Sequence, residues 1–229
     1  MYIHLYFAVY ALGDDERDRE PSTTPSPESA ETLTNGSVLF HVRLIDSTEG
    51  IRIRGRIPRL DHVTVINSTT SGLSLMGFLQ GNLSVNKCNF SYNKHHGISL
   101  NFKKTEVQTK IIGTTLSSNG IGGVTIQGEI VGTVELTESI INNNSEYGLS
   151  AEDVSGTLIV ANNSFVNNWC RDRASPTIHL PVVYHGPVQI TNNVFVNNSN
   201  YHKSKDDGAH LISIDFRHRD FCFKVSHCC

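Results

Sequence analysis

Five stretches of this 229-residue chain superimpose so that the same kinds of residue recur at the same offsets, and no other feature limits the fold as strongly. The stretches align on Val85, Ile111, Leu136, Val160 and Ile190, separated by 26, 25, 24 and 30 residues. Two residues before each stand Leu83, Thr109, Val134, Leu158 and Val188. Five residues after stand Phe90, Leu116, Ile141, Phe165 and Phe195, all large and apolar. At offset +8 every unit has asparagine: Asn93, Asn119, Asn144, Asn168 and Asn198. In the first three units Gly97, Gly123 and Gly148 follow and open a second short strand, GISL, GVTI and GLSA. The fourth unit inserts WCRDRASP before TIHL, and the fifth inserts NYHKSKDDGAH before LISI. Upstream, HVTVINSTTSGLSL reads as a shortened unit, with Val63 and Val65 as its strand and 20 residues to Val85.

A unit of about 25 residues with two or three short strands cannot bury its own apolar edge. Stacked on copies of itself at the strand spacing of about 4.8 Å, it encloses a continuous apolar prism. The expected fold is therefore all-β, a right-handed single-stranded parallel β-helix. Asparagine at +8 would form a ladder in a turn, where it tolerates left-handed backbone and its amide bonds to neighbouring coils. The glycines would suit corners that need positive φ. A left-handed β-helix would need a hexapeptide period and a leucine-rich repeat its own leucine pattern, and neither is present. A β-sandwich of ordinary hairpins remains the structural alternative.

The solenoid is expected over residues 38–214, after an apolar N-terminal segment and a disordered linker within residues 1–37. Residues 14–37 are charged, then rich in Pro, Ser and Thr, with too little apolar material to fold. Met1–Gly13 is apolar, but no Lys or Arg precedes it and Asp14, Asp15 and Glu16 follow at once. It lacks the basic start of a signal peptide, although Ala8 and Ala11 resemble a cleavage site. Residues 215–229 read as an irregular tail and suggest a truncated chain. No stretch approaches the roughly 20 apolar residues of a membrane span. A net charge of −3 without a basic stripe argues against nucleic acid as a partner.

Seven Asn-x-Ser/Thr acceptors, at Asn35, Asn67, Asn82, Asn89, Asn143, Asn162 and Asn197, lean toward an extracellular or cell-surface compartment. None falls on an inward position or on the ladder. Cys88, Cys170, Cys222, Cys228 and Cys229 give no legible disulfide framework. Cys222, His227, Cys228 and Cys229 lack the paired spacing of a zinc site. Cys88, at +3, reads as a small packed thiol.

Units such as LSVNKCNFSYNKHHGISL, VELTESIINNNSEYGLSA and LIVANNSFVNNW resemble the right-handed parallel β-helix repeats of pectin-degrading enzymes and of some animal surface proteins. The strand, N-x-F-x-x-N and glycine corner are most similar to the bark beetle family of invertebrate junctional proteins. That family combines β-helix repeats with scavenger-receptor cysteine-rich and C-type-lectin-like modules above a single membrane span. The resemblance covers roughly residues 38–214. It implies a non-enzymatic ectodomain scaffold at cell junctions, acting in adhesion with other extracellular proteins or glycans as partners and without a cofactor. No cysteine-rich module, lectin module or span occurs in this sequence, so the resemblance implies a fragment of that architecture.

The alternative is a secreted carbohydrate-binding or carbohydrate-cleaving β-helix. A hydrolase needs two carboxylates flanking the bond, and a lyase needs clustered acids beside a basic residue. Glu135, Glu138, Glu146, Glu152 and Asp153 form the best acidic group, with Arg171, Asp172 and Arg173 on a neighbouring loop and Asp206 and Asp207 on the next. These read as solvating charges, and no catalytic, metal or cofactor residue is assigned. His95 and His96 read as turn residues because adjacent side chains on an extended chain diverge. Trp169 and Tyr184 are candidates for stacking on a sugar ring.

Overall fold

The computed structural model describes residues 10–11, 38–105, 108–168, 176–183, 186–198, 211–216 and 223–226. Among these the chain is a parallel β-solenoid of three sheets, with eight, eight and seven strands. One coil illustrates the rest. Leu83–Asn86 joins the first-turn sheet, Asn89–Ser91 the short-strand sheet, and Ile98–Thr105 the long-strand sheet. The next coil repeats this order with Thr109–Ile112, Thr115–Ser117 and Gly122–Ile130. Pairing is in register: Val85 lies opposite Ile111, Ile111 opposite Leu136, Leu136 opposite Val160, and Val160 opposite Ile190.

Because side chains alternate across a strand, this register stacks the apolar columns inside the coil. Val85, Ile111, Phe90, Leu116, Ile141 and Phe165 are all fully buried. Each such side chain contributes on the order of 1.5–3 kcal/mol by leaving water. The rings of Phe165 and Phe195 stack at 5.1 Å with an interplanar angle of 6°.

The ladder runs through the coils. The Asn93 backbone N–H donates to Asn119 Oδ1 at 3.1 Å, and that of Asn119 to Asn144 Oδ1 at 3.1 Å. Asn144 N–H then donates to Asn168 Oδ1 at 3.2 Å, and Asn168 N–H to Asn198 Oδ1 at 2.8 Å. The side-chain amides reach back as well, Asn144 Nδ2 to the Leu116 carbonyl at 3.0 Å and Asn168 Nδ2 to that of Ile141 at 2.7 Å. The lower end closes on Ser68, whose N–H donates to Asn93 Oδ1 at 3.1 Å.

Five expectations change. The ladder asparagines do not hold left-handed backbone. Positive φ falls one residue earlier, on Tyr92, Ser118, Asn143, Asn167 and Asn197. That corner turns the chain so that the next side chain points inward. Nor do Gly97, Gly123 and Gly148 have positive φ; among the described glycines it falls on Gly77, Gly81, Gly113 and Gly128. Close approach requires them instead: a Cβ on Gly97 would lie 2.8 Å from the Gly123 carbonyl oxygen, and one on Gly123 would lie 2.6 Å from that of Gly148.

The upstream unit is not shortened. Leu60 pairs with Val85, and Val65 pairs with Phe90, so Leu60 is offset zero and Val65 is offset +5. A further coil precedes it, with Leu39 opposite Leu60 and Leu44 opposite Val65. These escape a search for alternation because Leu60 stands alone between Arg59 and Asp61. The repeat also passes the expected boundary at residue 214: Phe223–Ser226 pairs with Val188–Thr191, Phe223 opposite Val188 and Val225 opposite Ile190. Tyr10–Ala11 pairs with Arg52–Ile53 at the other end, within the segment expected to be separate. The remainder of residues 1–37 and of the tail lies outside the described residues.

A second ladder, at offset +3, was hidden by its mixed composition. Val63 N–H donates to Cys88 Sγ at 3.4 Å, Cys88 N–H to Thr114 Oγ1 at 3.4 Å, and Thr114 N–H to Ser139 Oγ at 3.1 Å. Ser139 N–H donates to Asn163 Oδ1 at 2.9 Å and Asn163 N–H to Asn193 Oδ1 at 2.9 Å. Each +3 residue likewise follows a left-handed corner, at His62, Lys87, Gly113, Glu138, Asn162 and Asn192. Cys88 is thus a buried hydrogen-bonding rung, and burial pushes its thiol up to about 11. Maleimide at pH 8 should leave Cys88 unmodified in the native chain and label it after denaturation, as read by peptide mass. Cys88→Ser should cost less than about 1.5 kcal/mol, because serine serves the same column at Ser139.

Candidate functional site: the outer face of the long-strand sheet

The long-strand sheet presents a polar outer column. Ser74, Ser99, Thr125, Ser150 and His179 lie in register on successive strands, each between two inward apolar residues. Two positions along, Met76, Asn101 and Gln127 form a parallel column, with Asn101 Nδ2 donating to Gln127 Oε1 at 3.1 Å. Thr125 is only 3% exposed and Ser150 only 7%, although both point away from the apolar interior.

Tyr147 provides a cover at the start of this sheet. Its ring lies over Gly122, where a Cβ would stand 2.3 Å from Tyr147 Cε2. Its hydroxyl lies 2.9 Å from His96 Nε2, and the two rings stack at 6.1 Å. Burial pushes the Tyr147 phenol up from its ordinary range, and nearby Thr125 opposes that shift. Burial, with a smaller contribution from the charge of His95, pulls the His96 imidazole down to about 4. His95, by contrast, is exposed.

That depression fixes a pH dependence. The unfolded chain binds a proton at His96 near pH 6.5, while the folded chain resists until about pH 4. The stability from neutral His96 is therefore complete above about pH 6.5 and is lost as pH falls toward 4. After allowance for the partly exposed ring, the loss is on the order of 1–2 kcal/mol. Urea unfolding at pH 7 and pH 4.5 should show this, with a smaller difference in His96→Gln.

The acidic residues singled out from the sequence do not converge. Glu135 pairs with Lys110 at 3.2 Å on the first-turn sheet, and Glu138 occupies an exposed left-handed corner. Glu146 is half-buried beside Tyr147, and Glu152 is exposed on the long-strand sheet. Asp153 instead lies in register with Glu129, which sequence reasoning passed over. Burial and the Glu129 charge push the Asp153 carboxyl up, and a hydrogen bond from Ser155 opposes them. Glu129 follows Gly128, where positive φ and a register shift re-aim the strand. Local sequence holds no signal for this pairing beyond that glycine. Among the described residues no group of three or more His, Cys, Asp or Glu side chains is placed to hold a metal ion. No helix among them is long and apolar enough to cross a membrane.

Asn67, Asn82, Asn143, Asn162 and Asn197 are exposed, while Asn89 is half-buried and its side chain accepts from Ser91. Asn67, Asn143, Asn162 and Asn197 all occupy left-handed corners. The fold itself therefore writes this tripeptide: a corner asparagine, an inward ladder residue, then Ser or Thr. Their number consequently says less about compartment than it first suggests. Asn35, Cys170, Cys222, Cys228, Cys229, His227, Trp169, Tyr184, Arg171, Asp172, Arg173, Asp206 and Asp207 lie outside the described residues.

A family model described as a right-handed beta helix region matches residues 28–165, more than half of the chain. No curated protein and no solved structure matches.

Proposed function

This chain belongs to the right-handed β-helix family, and on that premise we propose that it is a non-enzymatic extracellular scaffold serving cell adhesion and junction assembly. The observation that supports this reading is the use made of its hydrogen-bonding side chains. Two full columns of them are buried and bonded to neighbouring coils, while the exposed corners carry glycan acceptors. Such a body is a rigid spacer and a binding surface. Its partners are other extracellular proteins, or glycans, at the cell surface. Beads coated with the secreted chain should cluster or attach to epithelial cells, and the chain should release no unsaturated or reducing ends from pectin-type polysaccharides. Clear release of such ends would overturn the non-enzymatic assignment.

A second reading is favoured by the Ser74–Ser99–Thr125–Ser150 column beside Tyr147. A straight row of hydroxyls next to an aromatic ring suits a polysaccharide strand. In that case a glycan array should show binding that a bulky replacement in the column, Ser99→Arg, abolishes.

A further inference from the structure

We propose that Tyr147 is a latch over the outer face of the long-strand sheet, held shut by neutral His96 and released when His96 takes up a proton. The argument begins with fit. Tyr147, Gly122 and His96 occupy one position on three successive coils, and only glycine in the middle leaves room for the ring to span them. The ring is held at its far end, where its hydroxyl meets His96 Nε2 at 2.9 Å, and Thr125 lies close enough to influence the phenol. With His96 neutral and its proton on Nδ1, Nε2 can accept the phenol proton. Protonation turns Nε2 into a donor, which removes it as an acceptor for the phenol proton and puts a cation in a largely desolvated place.

The charged neighbours among the described residues set the direction. His95 precedes His96, and Lys94 stands on the same turn. Ser71 Oγ accepts the His96 backbone N–H at 3.3 Å and offers no charge. Glu146 and Glu152 lie near Tyr147 and raise its pKa rather than that of His96. No carboxylate appears among the influences on His96. The cation therefore gains no compensating partner by staying, and the ring is displaced. Opening exposes Thr125, which is now 3% exposed, and so changes what the face can bind in an acidic compartment. This holds whichever ligand the face takes.

Fluorotyrosine incorporation tests it. Of the seven tyrosines, the Tyr147 fluorine resonance is identified by its disappearance in Tyr147→Phe. It should move toward the position of free fluorotyrosine as pH falls from 6.5 toward about 4, while circular dichroism still reports the folded solenoid. In His96→Gln, with His96→Asn as a second variant should the first misfold, the resonance should not move over the same range. A resonance that stays in place until the whole chain unfolds overturns the latch. So does one that moves equally in the glutamine and asparagine variants.

Discussion

Asn144→Ala should lower the free energy of unfolding by about 3–5 kcal/mol, because one side chain serves four groups that water cannot reach. Asn144 Oδ1 accepts both the backbone N–H and the side-chain amide of Asn119, at 3.1 and 3.0 Å. Its Nδ2 donates to the Leu116 carbonyl at 3.0 Å and to Asn168 Oδ1 at 2.8 Å. Truncation leaves these partners buried and unpaired, at about 1–3 kcal/mol for each group that finds no substitute. Neighbouring Asn143→Ala supplies the control. Asn143 is exposed at φ 55°, so its replacement should cost only about 1–2 kcal/mol of backbone strain. Urea midpoints for the two variants give the comparison. Equal losses would mean that corner geometry, and not the ladder, holds the coils.

Gly123→Ala should destabilise by about 2–4 kcal/mol, the reverse of the gain alanine usually gives in a strand. The added carbon would lie 2.6 Å from the Gly148 carbonyl oxygen and 2.8 Å from Ile141 Cγ2. The first contact is backbone and cannot swing away, so the coil must shift and the bonds on either side lengthen. Thr177 fills the equivalent place one coil beyond Gly148, so the column tolerates a side chain only where the stack changes. A neutral or stabilising result, measured by thermal and urea unfolding, would show that these glycines serve backbone entropy and not spacing.

The +8 ladder was legible because one residue type repeats there: only asparagine both accepts a backbone N–H with its carbonyl and donates with its amide to the next rung. The +3 ladder was not legible, although it has the same role. Its rungs need only an acceptor, and Cys88, Thr114, Ser139, Asn163 and Asn193 all supply one. The first two coils were hidden for a related reason. Ser47 and Ser68 stand where later coils have asparagine, and Leu60 is the one apolar residue of its strand. A glycine column at Gly132, Gly156 and Gly186 escaped as well, where a Cβ on Gly156 would fall 2.1 Å from the Gly132 carbonyl oxygen.

The candidate site was less legible still. Residues His96, Gly122, Tyr147 and Thr125 are far apart in sequence and share no motif, so no local pattern joins them. By itself the sequence determined the coil: its length, its inward apolar columns, the asparagine ladder and hence the right-handed parallel solenoid. A repeat records what every coil must do alike, because each rung bonds to the next. The tertiary structure alone decided the number of coils, the place of the left-handed corners, and the neighbours across the outer faces. Those depend on register, which brings residues about 25 positions apart within hydrogen-bonding reach. A one-residue error in register turns every side chain to the other face.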